Sequence, residues 1–326
     1  MPLATIVVPA FNVEKTIRET LDALLAQTFD DFEILIIDDG SSDATYDIAK
    51  SYQTDPRIRL IRQRNRGLAG ARNSGIAAAK GALIGFCDAD DIWEPGKLAA
   101  HVSHLLSDPA VSVSYAGSSL INDDGEFLGQ SQNPRLKNID AVHIFKRNPI
   151  GNGSSPVFRR TVFDAIAYRP ASETERDWYF DETFRQSEDI ECWLRIALST
   201  DCIFEGVPGL LTRYRINAKG LSAATERQHS AWENMVAKLT PLAPDLFARH
   251  APAARAYQLR YLARRAISSL DGKRATRTLI ASLRESKRPL FEEPIKTGIT
   301  IAATLVLSLG GQQALQVLLS QKASRT

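Results

Sequence analysis

Leu83-Ile-Gly-Phe-Cys-Asp-Ala-Asp-Asp-Ile-Trp-Glu-Pro95 is the stretch on which the fold turns. An apolar run ends in three carboxylates, Asp88, Asp90 and Asp91, and the chain turns at Pro95. A short apolar run bounded by turn signals reads as a buried strand. Carboxylates at its carboxyl end lie where open α/β sheets place their ligands. Acids packed that closely raise one another's pKa unless a cation sits among them. Hard oxygen donors at this spacing suit Mg²⁺ or Mn²⁺, with substrate phosphates completing the shell. The plainer alternative is an acidic turn capping a helix that begins near Pro95, and the upstream segments weigh against it.

Upstream, Thr5–Val8 is β-branched and apolar, a buried first strand closed by Pro9-Ala-Phe-Asn12. Val13 to Gln27 follows with apolar residues at helical spacing, and Asn12 stands where an N-cap is expected. Phe32–Ile37 is a second strand that also runs into acid, at Asp38-Asp39-Gly40-Ser41-Ser42-Asp43. Helix Ala44–Tyr52, strand Ile58–Ile61 and a small-residue helix through Arg72 to Ala79 lead back to the opening stretch. Strand–helix alternation with short connections is the signature of a doubly wound, mostly parallel sheet. Asp39, Arg72, Asp88 and Asp90 all fall at or just after strand carboxyl ends, so they can converge on one rim.

Downstream the pattern loosens. Ser112–Ala116 reads as a strand, Asp123-Asp124-Gly125-Glu126 as a hairpin turn, and Ile139–Lys146 as a short helix. Gly151-Asn-Gly-Ser-Ser155 reads as a flexible loop ahead of a short strand. Ser187-Glu188-Asp189 opens a helix, with Ser187 as cap and acids that compensate the helix dipole. Gly209–Ile216 is a strand leading into Asn217–Ser222.

The chain has 326 residues, 44% hydrophobic and 24% charged, which permits one α/β domain with an appendage. Cys87, Cys192 and Cys202 show no paired or metal-ligand spacing, so buried reduced thiols in a cytosolic setting are expected. Met1–Pro9 has no basic n-region, and no signal peptide is expected. Residues 249–288 hold eleven Lys/Arg against two acids, a local +9, leaving about −7 for the remainder of a chain at +2. Within it Leu259, Leu262, Ala263, Ala266, Ile267 and Leu270 form a helical stripe over Ala256–Leu270, with Arg260, Arg264 and Arg265 outside. Thr297–Gln321 carries no charge, but Gly310-Gly311 interrupts it, so it is no clean spanning helix. Basic charge beside an apolar run points to peripheral contact with the inner face of a membrane by an otherwise cytoplasmic protein. The alternative is a solvated basic face and a packed helix. Aromatics are not interleaved there beyond Tyr257 and Tyr261, which argues against nucleic acid as a partner.

Val8-Pro-Ala-Phe-Asn12, Asp38-Asp-Gly-Ser-Ser-Asp43, Arg66-Gly-Leu with Ala71-Arg-Asn73, Asp88-Ala-Asp-Asp91 and Ser187-Glu-Asp189 occur in the order and spacing that resembles family 2 glycosyltransferases. The resemblance covers roughly residues 3–222 and implies a GT-A type sheet for a catalytic domain of residues 1–222. Residues 223–326 would form a helical extension. It implies inverting, metal-dependent sugar transfer from a nucleotide-sugar donor to a glycan or lipid-linked acceptor, in polysaccharide or glycoconjugate synthesis. By the same resemblance Pro9, Phe11 and Glu14 line the nucleotide pocket, Asp39 meets the base, and Arg72 contacts the nucleotide side. Asp88 would reach the ribose or metal, Asp90 would coordinate Mn²⁺ or Mg²⁺, and Asp189 would be the catalytic base. Relatives often carry Tyr-Arg-x-His where this chain reads Tyr214-Arg-Ile-Asn217, and asparagine offers no titrating nitrogen.

These residue types fit that chemistry. Inverting transfer needs a carboxylate to take the acceptor's hydroxyl proton and a cation to stabilise the leaving diphosphate. It needs no protein nucleophile, and five scattered histidines form no Ser/His/Asp or Cys/His arrangement. An ionised Asp39 suits the N3–H donor of uracil, which favours a UDP-sugar. A nucleotidyltransferase would favour a glycine-rich basic loop after the first strand, and Pro9-Ala-Phe-Asn12 supplies neither feature. A non-catalytic nucleotide-binding module would be favoured by loss of Asp90 or Asp189, and both are present.

Overall fold

The computed structural model describes residues 1–216 and 225–311 and divides the chain into two compact units. The first comprises Met1–Ala141 and Pro149–Asn217; the second comprises Val142–Asn148 and Ala218–Thr326. Asn217 lies outside the described residues.

In the first unit, β1 (Ala4–Ala10), β2 (Phe32–Asp38), β3 (Ile58–Arg62) and β4 (Leu83–Phe86) pair in parallel in the order β3-β2-β1-β4. Every residue of β1, β2 and β4 is buried, because helices cover both faces of such a sheet and select continuous apolar runs. The covering helices α1 (Ile17–Leu25), α2 (Thr45–Ser51) and α3 (Gly67–Ala78) return the chain between strands. The small residues of α3 have a packing cause. A Cβ on Gly75 would stand 2.2 Å from Val7 Cγ1 of β1, so this helix lies directly on the sheet.

Helix α1 begins later than expected, and Asn12 is not its cap. Asn12 takes a left-handed backbone at φ 53°, donates its N–H to Ser41 Oγ at 3.1 Å and accepts from Ser42 N at 2.9 Å. It ties the β1 loop to the β2 loop, and Thr16 occupies the cap position without a side-chain cap bond, its hydroxyl donating instead to Ala89 O at 2.9 Å.

The chain continues through β5 (Ile92–Trp93), α4 (Lys97–Ser107), β6 (Val111–Ile121), β7 (Phe127–Gln132), then α5 (Ala141–Arg147), which falls to the second unit from Val142 on, and β8 (Val157–Arg159), α6 (Arg160–Ile166), α7 (Glu188–Ser199) and β9 (Ile203–Arg215) of the first. The lateral order runs on as β4-β8-β6-β9-β5, with β7 paired to β6. Strand β8 joins β4 and β6 antiparallel, while β6 and β9 are parallel. The hairpin expected around Asp123–Glu126 joins β6 to β7, with Gly125 at φ 82°. An aromatic cluster of Phe86, Phe158, Phe163, Phe180 and Trp193 packs β4, β8, α6 and α7 together. That cluster sets the first turn of α7 beside the end of β4.

The second unit contains α8 (Thr225–Leu239), α9 (Pro244–Ser268), α10 (Gly272–Glu285), α11 (Arg288–Glu292) and α12 (Pro294–Ser308). Phe145 stacks on Trp232 of α8 at 5.6 Å and meets Phe247 of α9 at 4.9 Å. Ala266, Ile267, Ala275 and Leu307 form a second cluster between α9, α10 and α12. The stripe expected on α9 is buried through Ile267, whereas Leu270 lies past the helix end in a left-handed turn at φ 57° and is partly buried; Arg260 is not outside the stripe. It is 3% exposed, donates to Thr297 Oγ1 at 2.6 Å and pairs with Glu293, so an inward polar network accommodates the charge. Among the described residues no helix is long and apolar enough to cross a membrane.

Candidate active site

The carboxyl ends of β1, β2 and β4 gather the expected residues on one rim. Pro9 is buried in β1, whereas Phe11 just beyond it is 47% exposed. Glu14 accepts from Ala44 N at 3.0 Å and so meets the start of α2. Asp39 accepts from Gln63 Nε2 at 2.6 Å and from the backbone N–H groups of Arg66 and Gly67 at 2.8 Å each. It therefore caps the N-terminus of α3. Burial raises the Asp39 pKa, and these three hydrogen bonds work against the rise. Sequence reading missed Gln63, whose Oε1 accepts from Ser74 at 2.5 Å and so holds the side chain in place.

The three acids after β4 do different work. Asp91 is fully buried; its carboxylate accepts from Ser154 Oγ at 2.5 Å and from Arg215 N at 2.9 Å. Asp88 and Asp90 remain half-buried. Asp88 N donates to Ser154 Oγ at 2.9 Å, so one serine braces both ends of the acidic turn. Burial drives the Asp91 pKa up, and the charges of Asp90 and Asp88 add to that rise. Three crowded carboxylates of this kind are stabilised by a divalent cation. Among the described residues no group of three or more His, Cys, Asp or Glu side chains forms a metal cage. Mg²⁺ and Mn²⁺ at phosphate sites need only one or two carboxylates, with water and phosphate oxygens supplying the rest, so Asp88 and Asp90 fit them.

Arg72 is the centre of the arrangement. It is 1% exposed and lies over the rings of Phe180 and Phe86, at 5.4 and 5.8 Å. Its Nη2 donates to both oxygens of Asp88, at 2.9 and 3.2 Å, and its Nη1 donates to Glu188 Oε1 at 2.9 Å. Burial disfavours its charge, but Asp88 and Glu188 outweigh burial and hold the guanidinium protonated. The neighbouring Asn73 accepts from the N–H groups of Tyr179 and Phe180, at 3.1 and 2.8 Å, which anchors the segment entering α7. Arg66 strengthens that anchor through Glu173, Glu175 and Glu182.

Glu188 and Asp189 occupy the first turn of α7. Ser187 before them is left-handed at φ 62° and makes no side-chain cap bond, so its expected capping role is replaced by a tight backbone turn. Such strain in a non-glycine residue concentrates at functional sites. Asp189 Oδ1 accepts from Ile190 N at 2.8 Å. Burial raises its pKa against the pull of Arg72, with Asp88 adding to the rise. Burial raises Glu188 as well, opposed by Arg72 and reinforced by Asp189. A carboxylate whose pKa is raised is a stronger base once it is ionised.

Two further elements were silent in the sequence. Arg215 at the end of β9 has a 1% exposed side chain that donates to the carbonyls of Asp90 (2.8 Å), Asn122 (2.9 Å) and Asp123 (2.7 Å) and to Glu19 (2.6 Å). It clasps the acidic turn from behind. The loop at 151–155, legible only as a turn, carries Gly153 against Arg72 and Ser154 against Asp88 and Asp91. Lys97, fully buried, donates to Ser155 O and Thr212 Oγ1 at 2.8 Å each, and burial pulls its pKa down to about 7. None of the three expected thiols is in a disulfide; Cys87 and Cys192 are buried and Cys202 is partly buried.

The family model described as Glycosyl transferase family 2 matches residues 5–167. Escherichia coli WfgD, named UDP-Glc:alpha-D-GlcNAc-diphosphoundecaprenol beta-1,3-glucosyltransferase, is 29% identical over 228 residues, 68% of this chain and 80% of that protein. In three other bacterial glycosyltransferase relatives the matched region spans only 27–39% of their length. S. aureus TarS 1-349 in complex with UDP-GlcNAc superposes with a TM-score of 0.56 at 16% identity, covering 85% of this chain and 89% of TarS 1-349. The Pyrobaculum calidifontis mannosyltransferase PcManGT, in complex with GDP-Man and Mn²⁺, gives 0.55 at 20% identity, covering 94% and 87%. The fold is therefore of the GT-A type, an α/β sheet followed by a helical C-terminal region.

Proposed function

Because the chain belongs to glycosyl transferase family 2, we propose that it transfers a sugar, with inversion, from a nucleotide-sugar donor to a hydroxyl of a glycan or lipid-linked glycan. The observation that carries this reading is the double ion pair of Arg72. It joins the Asp88 turn to the Ser187–Asp189 turn and so holds a diphosphate-side acid and a base-side acid on one rim. Residues 1–222 would perform the catalysis, and the helical region 223–326 would bring the enzyme to the inner face of a membrane. The lipid-linked acceptor in the name of WfgD supports that class of acceptor.

In this reading Pro9, Phe11 and Glu14 border the nucleoside, and Asp39 presents its remaining acceptor capacity to the base. Uracil offers an N3–H to a carboxylate, and the UDP-GlcNAc held by TarS supports a UDP-sugar donor. Asp90, with Asp88, would hold a divalent cation, which supplies charge stabilisation to the departing diphosphate. Mn²⁺ in the PcManGT complex supports that assignment. Asp189 accepts the proton of the acceptor hydroxyl as its oxygen bonds to the anomeric carbon. The bond from that carbon to the diphosphate oxygen breaks, and the nucleoside diphosphate leaves with the bonding pair. Arg72, paired with Asp88 and Glu188, acts in this reading on the nucleotide side of the site by positioning those two acids.

A donor panel with the purified chain, Mn²⁺ or Mg²⁺, and detection of released nucleoside diphosphate tests this. UDP release, abolished by chelator and by Asp90→Asn with the fold intact, is expected. Turnover undiminished in excess chelator would remove the metal role, and tightest binding by GDP would reverse the donor assignment.

A further inference from the structure

Helix α12 turns three threonines inward beside Leu307 and large apolar residues outward. Thr297, Thr300 and Thr304 point inward and are at most 3% exposed, whereas Ile295 (77%), Ile299 (64%) and Leu305 (57%) point to solvent. The buried hydroxyls are satisfied: Thr297 donates to Pro289 O at 2.6 Å, and Thr300 and Thr304 donate back to the carbonyls of Lys296 and Thr300 at 2.8 Å each. Such bonds let a threonine face the interior without an orphaned polar group. The outward residues 295, 299, 302, 305 and 309 recur at helical spacing, so with Ala302 and Leu309 they form one stripe roughly 20 Å long. Phe291 at the end of α11 is 80% exposed and extends it. A contiguous exposed apolar surface of this kind marks an interaction site.

Charge decides the partner. On α10 the residues at 273, 277 and 284 share one exposed face and are Lys, Arg and Arg; Lys287 and Arg288 follow, also exposed. The hydrogen bond of Thr276 Oγ1 with Ser308 Oγ at 2.8 Å brings the start of that row to the end of α12. Lys296, next to Ile295, is 60% exposed and pairs with Glu293 at 3.0 Å. We propose that the α11–α12 stripe inserts into the interface of an anionic bilayer while the α10 cations meet lipid phosphates. This deepens the membrane contact proposed above and rests on it. Pairing of the same face with a second copy would bring two cationic rows together with few acids to offset them. An anionic leaflet neutralises the row and buries the stripe.

The test is flotation of the full chain with vesicles of phosphatidylglycerol and phosphatidylcholine, or of phosphatidylcholine alone. Binding to the anionic vesicles, weakened several-fold by raised salt, is expected. The double variant Ile295→Glu/Ile299→Glu should bind about tenfold less or worse, while Leu242→Glu, also at an exposed apolar position (51%), should bind as the parent does. Both changes lie on solvent-exposed positions, and thermal melting checks that each variant is folded. If the parent binds neither vesicle, the membrane contact itself is wrong. If the double variant binds as well as the parent, the contact stands and this surface is not its site. A lipid-free dimer split by the double variant would make the stripe a subunit interface and overturn the proposal.

Discussion

Gly153 lies flat against the guanidinium of Arg72: a Cβ at this position would stand 2.2 Å from Nη2 and 3.4 Å from Asp88 Oδ2. The loop at 151–155 therefore closes on the same ion pair that joins the two acidic turns. Gly153→Ala must displace Arg72, because the guanidinium has aromatic rings behind it. We expect a stability loss of about 1–3 kcal/mol from overpacking and a fall in turnover well beyond that of a mutation elsewhere in the loop. Thermal melting and initial rates measured together check this. A variant matching the parent in both would show that Arg72 has room to move.

Arg72 itself is held between buried acids, so removing its charge leaves Glu188 buried and unpaired. Arg72→Met should destabilise the first unit by about 3–5 kcal/mol. Adding Glu188→Gln removes the stranded charge and should recover part of that loss. Denaturant titration of the parent, the single and the double variants measures the coupling. Additive losses would mean that the pair does not interact as its geometry requires.

Asp189 should behave as a base whose acid limb lies above the ordinary aspartate range. Burial raises its pKa, and a base is active only when ionised. Activity is then present above that raised pKa and lost as pH falls through it. Asp189→Asn should lower kcat by ~10²-fold or more while sparing donor affinity. The pH profile of kcat, with donor binding measured separately, is the check. A limb at or below about pH 4, or a variant that loses donor binding alone, would reassign Asp189 to a structural role.

Glu293 should make the helical unit acid-sensitive. Burial opposes its ionisation, but hydrogen bonds from Arg260 and Lys296 and the charge of Arg147 outweigh burial and hold the carboxyl at about 2. A folded-state pKa depressed below the usual 4.5 contributes stability that is fully present above 4.5 and lost as pH falls toward 2. Its size is at most about 3 kcal/mol. Glu293→Gln should therefore melt earlier than the parent at pH 6, and the gap should narrow at pH 3. An equal gap at both pH values would show that the network contributes through packing rather than charge.

The alternation of strands and helices was legible in the chain because it depends on local properties. Apolar runs in Thr5–Val8 and Phe32–Ile37 and helical spacing after them require no knowledge of distant residues. The same holds for the position of Asp39 and Asp88 at strand ends, since the apolar runs before them stop there. What the chain order could not distinguish is which of the adjacent acids Asp88, Asp90 and Asp91 turns inward. That depends on Ser154 and Arg215, residues 63 and 124 positions from Asp91, reaching it through the packing of other strands. Likewise Arg72 meets Glu188 across 116 positions, and nothing at either site announces the other. The outward face of α12 reads as ordinary apolar periodicity, and only the packed unit shows that three threonines share the inside with Leu307. Local periodicity sets where elements form. Which faces meet is a property of the whole core, because burial is summed over all elements at once, and the ion pairs follow from that choice.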